Sequence, residues 1–241
     1  MELHEYILTR NDCCRRGTPL VPRGVMVHST GANNPYLRRY VQPDDGELGK
    51  NRYDNDWNRS GLPVCVHAFL GKKAGGGIAV YQTLPWEMRG WHCGGAANNT
   101  HIGVEMTEPG AGMAYAEAAA QITGTYRTAV ALFAQLCETY GLDPLADGVI
   151  IGHAEGHRRG VASNHADPEY LWRQYGMGFT MDGFRAAVAE AMAGAREEET
   201  DMTRYNTVAE MPAWAQAEAQ RLVDRGALKG DADGRLDLSL D

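Results

Sequence analysis

The stretch GVMVHST, residues 24–30, carries apolar and β-branched residues that run directly into His28-Ser29-Thr30. That composition predicts a short buried strand giving way to a loop at its histidine. A second stretch, GVIIG at 148–152, ends the same way and is followed by His153. If the two strands are neighbours, both imidazoles arrive at one edge of a sheet. Further strands are predicted at 64–70 (VCVHAFL), at 78–83 (IAVYQT) after Gly75-Gly76-Gly77, and at 101–106 (HIGVEM). Between these strands lies AYAEAAAQITGTYRTAVALFAQLCETY, residues 114–140, where Ile122, Tyr126, Ala129, Val130, Phe133 and Leu136 recur every three or four positions. That spacing gives an amphipathic helix with one core-facing stripe, and Gly141 is its expected C-cap. Strands mixed with helices place the chain in the α/β class, with a central sheet flanked by helices.

The remaining segments fill in around this frame. Residues 31–62 are rich in Asn, Asp, Gly and Pro and read as loop with a helical turn at Tyr36 to Tyr40. A loop that long inside a compact domain is usually functional. The stretch from His153 to Pro168 reads as a polar loop, and a last helix is predicted from Met181 to about Ala195. The expected organisation is a main domain at 1–196, a charged linker at 197–204 and a short helical C-terminal segment at 205–241 whose helix starts at Pro212. That segment is too small for a large core of its own, and Asp231-Ala232-Asp233-Gly234 within it reads as a turn because an EF-hand's distal glutamate is missing.

Composition removes several function classes. The 241 residues are 44% hydrophobic, which suits one globular domain with a small appendage. No run approaches the roughly 18 to 20 apolar residues of a membrane span, so membrane insertion is not expected. The first residues carry charges and lack the apolar core of a secretory signal, and His4 reads as part of a frayed terminus. A net charge of −8 argues against nucleic acid as a partner. The five cysteines (Cys13, Cys14, Cys65, Cys93, Cys137) form no C-x-x-C pair, which points to reduced thiols rather than a disulfide framework or a zinc ribbon.

Chemistry therefore falls to the histidines. A hydrolytic zinc site uses three protein ligands and leaves a fourth position for water. His28, His67, His92, His101, His153, His157 and His165 are all available. His28 and His153 share their strand-end setting, and Asp167, fourteen residues beyond His153 and followed by Pro168, supplies a carboxylate. Two imidazoles and a carboxylate suit catalytic zinc. Each residue taken singly is also an ordinary polar strand-end group, and bare spacing does not decide between these readings.

Three separated stretches carry a resemblance that does. MVHSTGANNP (26–35), GWHCGGAANNTHIGVEM (90–106) and IIGHAEGHRRGVASNHADPEYLW (150–172) resemble the N-acetylmuramoyl-L-alanine amidases of the type-2 family, whose domain phage endolysins and peptidoglycan recognition proteins share. The similarity spans about residues 20–190 and is greatest to endolysin-like enzymes of clostridial phages. It implies a mixed β-sheet flanked by helices, with one Zn²⁺ in a surface groove that receives bacterial peptidoglycan. His28, His153 and Asp167 then fall on the metal ligands, although His157 competes with His153. Glu105 falls on the acidic residue that takes a proton from water, and His165 stands where many relatives carry a lysine that stabilises the oxyanion. His67, His92, Asn98 and Asn99 match positions that contact substrate. The implied reaction is hydrolysis of the amide between muramic acid and L-alanine, by an endolysin or autolysin that reaches the wall after release, for a phage enzyme through a holin pore. A non-catalytic wall-binding module and a zinc peptidase acting on another wall bond are the alternatives. Residues 205–241 resemble segments that follow such domains, as a wall-binding or association element.

Overall fold

A computed structural model describes residues 1–41, 46–201, 205–211, 213–231 and 235–236. The described chain divides into two compact units, Met1–Met192 and Ala193–Asp241.

The first unit opens with strand β1 (Leu3–Glu5), helix α1 (Asp12–Arg16) and strand β2 (Gly24–Ser29). The predicted turn at 36–40 is a 3₁₀ turn at Leu37–Arg39, and β3 (Ala68–Lys72), β4 (Ile78–Gln82) and β5 (His101–Met106) follow. Helix α2 (Tyr115–Tyr140) leads to β6 (Ile150–Gly152), α3 (His153–Arg158), α4 (Glu169–Gln174) and α5 (Met181–Asp201). The six strands make one mixed sheet in the order β1-β4-β3-β5-β2-β6, in which only β3 and β4 pair antiparallel.

Alternation along the central strands separates a packing face from a chemical face. Val25 and Val27 of β2, with Ile102, Val104 and Met106 of β5, are buried in the main core with Ile122, Ala129, Leu132, Phe133 and Leu136 of α2 and Phe184 and Val188 of α5. The intervening residues Met26, His28, Gly103 and Glu105 therefore face away from those helices. The stripe foreseen on α2 is the buried one, and Gly141 caps the helix in the left-handed conformation, φ 62°. Phe133 meets Phe184 edge-on at 5.0 Å, which joins α2 to α5. On the other face, Met26 and Ile151 pack with Cys93 and Ala97, while Phe69 and Tyr81 pack with Leu37, Tyr40 and Leu48.

Four local expectations need correction. The N-terminus is not frayed: β1 pairs with β4, His4 stacks on Tyr81 at 4.7 Å, and Lys73 bonds Glu2 at 2.9 Å. The third strand begins at Ala68 rather than at residue 64, because pairing with β5 starts there; Cys65 instead forms an isolated bridge with Trp91. His153 opens a helix rather than a loop. Glu155 Oε2 accepts from Gly152 N at 3.3 Å and is held by Arg185 at 3.0 Å, so a side chain from α5 completes the helix start. The charged stretch expected as a linker at 197–204 continues α5 as far as Asp201, since Glu and Arg are good helix formers and no Gly or Pro interrupts them there.

All five cysteines are free thiols. In the second unit, a 3₁₀ turn at Val208–Glu210 precedes α6 (Ala213–Asp224), and Met211, Ala215 and Ala219 form a small cluster with Tyr205 and Val208. Pro212 and residues 232–234, where a helix start and a turn were expected, lie outside the described residues. No described helix is long and apolar enough to cross a membrane.

Phe133→Ala should lower stability by about 3 to 5 kcal/mol, the usual cost of deleting a buried aromatic ring. Urea unfolding measures it, and a loss below about 1 kcal/mol would mean that the α2–α5 contact does not hold the core.

Candidate functional site

β2 pairs in parallel with β5 on one side and with β6 on the other, so residues near the carboxyl ends of three adjacent strands converge. His28 lies in register with Glu105, and Val27 with Gly152, the residue before His153. Asp167 is carried in on the loop before α4. His28 Nδ1 is 3.0 Å from His153 Nδ1 and 3.3 Å from Asp167 Oδ2, and His153 Nδ1 is 3.6 Å from Asp167 Oδ1. All three residues are buried, and their ligand atoms lie within 4.8 Å of one another. Three electron-pair donors of the kinds zinc prefers thus converge on one point. Glu105 adds a second sign of fit, because its Oε2 is buried without a hydrogen-bond partner among the described residues.

The trio opens into a groove of about 1000 Å³. Trp57, Pro63, Val64 and Trp91 line it, as do Ser163, His165 and Tyr170. His165 is exposed, with Nδ1 3.0 Å from Ser163 Oγ and its ring 4.5 Å from that of His153. His157 is exposed instead, with Nδ1 3.4 Å from the Ala162 carbonyl, and does not line the groove. Of His153 and His157, it is therefore His153 that meets His28.

The four residues expected to contact substrate divide. His67 is fully buried and outside the groove lining: Nδ1 accepts from Gly103 N at 2.9 Å and Nε2 faces the Met88 carbonyl at 2.7 Å. Asn99 lines a neighbouring cleft, and its Oδ1 accepts from Arg89 Nε at 2.6 Å. His92 and Asn98 do line the groove, but both are engaged within the protein. Asn98 Oδ1 accepts the backbone N–H groups of His92 and Cys93 at 2.9 and 3.0 Å, and His92 Nδ1 lies 2.9 Å from His28 Nε2. Sequence reasoning missed Glu108, whose carboxylate accepts from Ser29 Oγ at 2.7 Å and Gly31 N at 3.0 Å and from the hydroxyl of Tyr170. It pins the chain after His28 to the groove's rim. The acidic Glu108, two residues beyond HIGVEM, was the available signal.

Burial pushes Glu105 up to about 8, with His28 opposing and Asp167 and Glu108 reinforcing the shift. Burial likewise holds His153 down at about 4, and His28 beside it adds to the effect. Burial is the largest influence on Asp167 and works against its charge, but the contacts with His28 and His153 together outweigh it and the carboxyl sits below its usual value. A dication among these groups would favour the ionised carboxylates.

The family model for N-acetylmuramoyl-L-alanine amidases matches residues 17–170. The chain belongs to this amidase family. Its reaction places the amidase among peptidoglycan-cleaving hydrolases. The fold agrees. The amidase is similar to the Staphylococcus aureus hydrolase AmiA, solved with its ligand, at 21% identity and TM-score 0.54 over 82% of this chain and 85% of that one. It is also similar to the catalytic domain of XlyA, at 19% identity and TM-score 0.50 over 78% of this chain and 99% of that one. No curated protein matches the amidase's sequence.

His67 gives a pH signature independent of catalysis. Burial lowers it from 6.5 to about 4. The unfolded chain thus binds an additional proton between those pH values, and stability falls as pH drops below 6.5. The contribution is on the order of 3 kcal/mol across that window. Denaturation curves of the wild type and His67→Gln should diverge on acidification, with the wild type falling more steeply; parallel pH profiles would refute this.

Proposed function

We propose that this chain is a zinc-dependent amidase that hydrolyses the bond between the lactyl group of N-acetylmuramic acid and L-alanine, with His28, His153 and Asp167 as the metal ligands. The observation that carries this reading is the convergence of those three buried groups beside the unpartnered carboxylate oxygen of Glu105. Zinc at such a site lowers the pKa of water to about 7 and polarises a carbonyl.

The chain's own residues would supply the rest. Glu105, one strand over from His28, takes a proton from water as its oxygen attacks the lactyl carbonyl carbon. His165, when it carries a proton on both nitrogens, approaches the substrate oxygen with Nε2, the nitrogen that faces no partner among the described residues, and donates to the negative charge that develops there. The C–N bond then breaks, the alanine nitrogen takes the proton held by Glu105, and a lactyl carboxylate and a free amine leave. Trp57 and Trp91 give the groove flat apolar surfaces suited to a sugar ring or to the aliphatic parts of a stem peptide.

Mass spectrometry of digested peptidoglycan tests the bond assignment. Glycan strands with free lactyl carboxylates and peptides beginning at alanine are expected. Fragments that keep the muramoyl–alanine link but are cut elsewhere would favour a peptidase, and bound walls without release a recognition module. Glu105→Gln should retain zinc while turnover falls about 10² to 10⁴-fold, the range for loss of a general base; full activity in that variant would remove Glu105 from the reaction.

A further inference from the structure

We infer that His92 is a positioning residue that fixes which nitrogen of His28 is offered to the metal. The inference rests on the zinc reading above and concerns the shell behind the ligands.

The direction of the hydrogen bonds follows from a fixed end. His92 Nε2 lies 3.1 Å from the backbone carbonyl of His101, which can only accept, so Nε2 carries the proton. A neutral imidazole carries one proton, so with Nε2 protonated its Nδ1 holds only a lone pair. His92 Nδ1 is therefore a bare acceptor, and the group facing it at 2.9 Å, His28 Nε2, must donate. The proton on Nε2 leaves Nδ1 as the nitrogen of His28 that presents its lone pair to His153 and Asp167.

A parallel chain serves His153. Its Nε2 lies 3.2 Å from Ser163 Oγ, whose hydroxyl donates to the Cys93 carbonyl at 3.0 Å. Both ligand histidines are thus anchored through Nε2 to chains that end on backbone carbonyls, which leaves their Nδ1 atoms 3.0 Å apart at the metal point. Outer partners of this kind fix the tautomer and ring orientation of metal-binding histidines.

Two further features show that the fold makes room for His92. A Cβ on Gly103 would lie 2.3 Å from His92 Cγ, so the strand is hollowed where the ring rests. Asn98 Oδ1 accepts the backbone N–H of His92 and holds the loop that carries it.

The test uses the full chain with His92→Phe, which keeps a ring but removes both hydrogen bonds, and His92→Gln, whose amide oxygen and nitrogen can restore them. Zinc affinity by chelator competition should fall about 10 to 100-fold in the phenylalanine variant, the usual effect of losing an outer partner, and recover most of that loss in the glutamine variant. Nitrogen-15 NMR of the metal-free wild type should show the His28 proton on Nε2. Wild-type zinc affinity in His92→Phe, or metal-free wild-type protein whose His28 carries its proton on Nδ1 alone, would overturn the inference. The NMR readout needs no variant to fold. If wild-type protein takes up no zinc, the metal reading fails, while the tautomer measurement still decides the role of His92.

Discussion

The site depends on one arrangement of hydrogen bonds: β2 lies between β5 and β6 and runs parallel to both. Parallel pairing brings carboxyl ends together, and here those ends carry Glu105, His28 and His153. The two-residue repeat of the strands does the rest. Burying Val25 and Val27 against α2 turns His28 to the opposite face, and burying Ile102 and Val104 does the same for Glu105. A one-residue slip of either strand would send its functional side chain into the main core and an aliphatic side chain into the groove. The hydrophobic pattern that stabilises the domain is therefore also what positions the chemistry.

The chemical face is costly to build. His28, His153, Asp167, Glu105 and Glu108 are all buried within a small region. Glu108 and Asp167 are satisfied by backbone N–H groups or side-chain donors, whereas Glu105 Oε2 has no partner among the described residues. An unsatisfied buried polar atom costs about 1 to 3 kcal/mol, more when charged, and perturbed groups of this kind cluster where chemistry is done. A cation held by His28, His153 and Asp167, as proposed, would offset part of that cost. The glycine of the I-G-V-E strand has its place in the same scheme, since any side chain at Gly103 would collide with the ring behind His28.

The sheet and the convergence of His28, His153 and Asp167 were legible because strand periodicity and strand-end histidines are local signals. Residues 24–29 and 101–106 could be read as strands almost to the residue, and Ile122, Ala129, Phe133 and Leu136 of the buried α2 face could be named, though Leu132 and Cys137 of that face were not. What escaped depends on distant partners. α3 starts at His153 with help from Arg185, more than thirty residues on; β1 is only three residues long and exists because β4 pairs with it. The same limit applies to the residues expected to touch substrate. A histidine beside a tryptophan in a glycine-rich loop looks like a substrate contact, and nothing local reveals that the nitrogens of His92 are committed to His28 and the His101 carbonyl. Asn98 likewise spends its amide oxygen on two backbone donors.

The most direct test is the zinc content of dialysed protein, measured by elemental mass spectrometry for the wild type and for His28→Ala. The ligand geometry predicts one zinc per chain in the wild type and almost none once His28 Nδ1 is removed, with the fold retained by circular dichroism. Equal zinc in both proteins would place the metal elsewhere and contradict the assignment of the site.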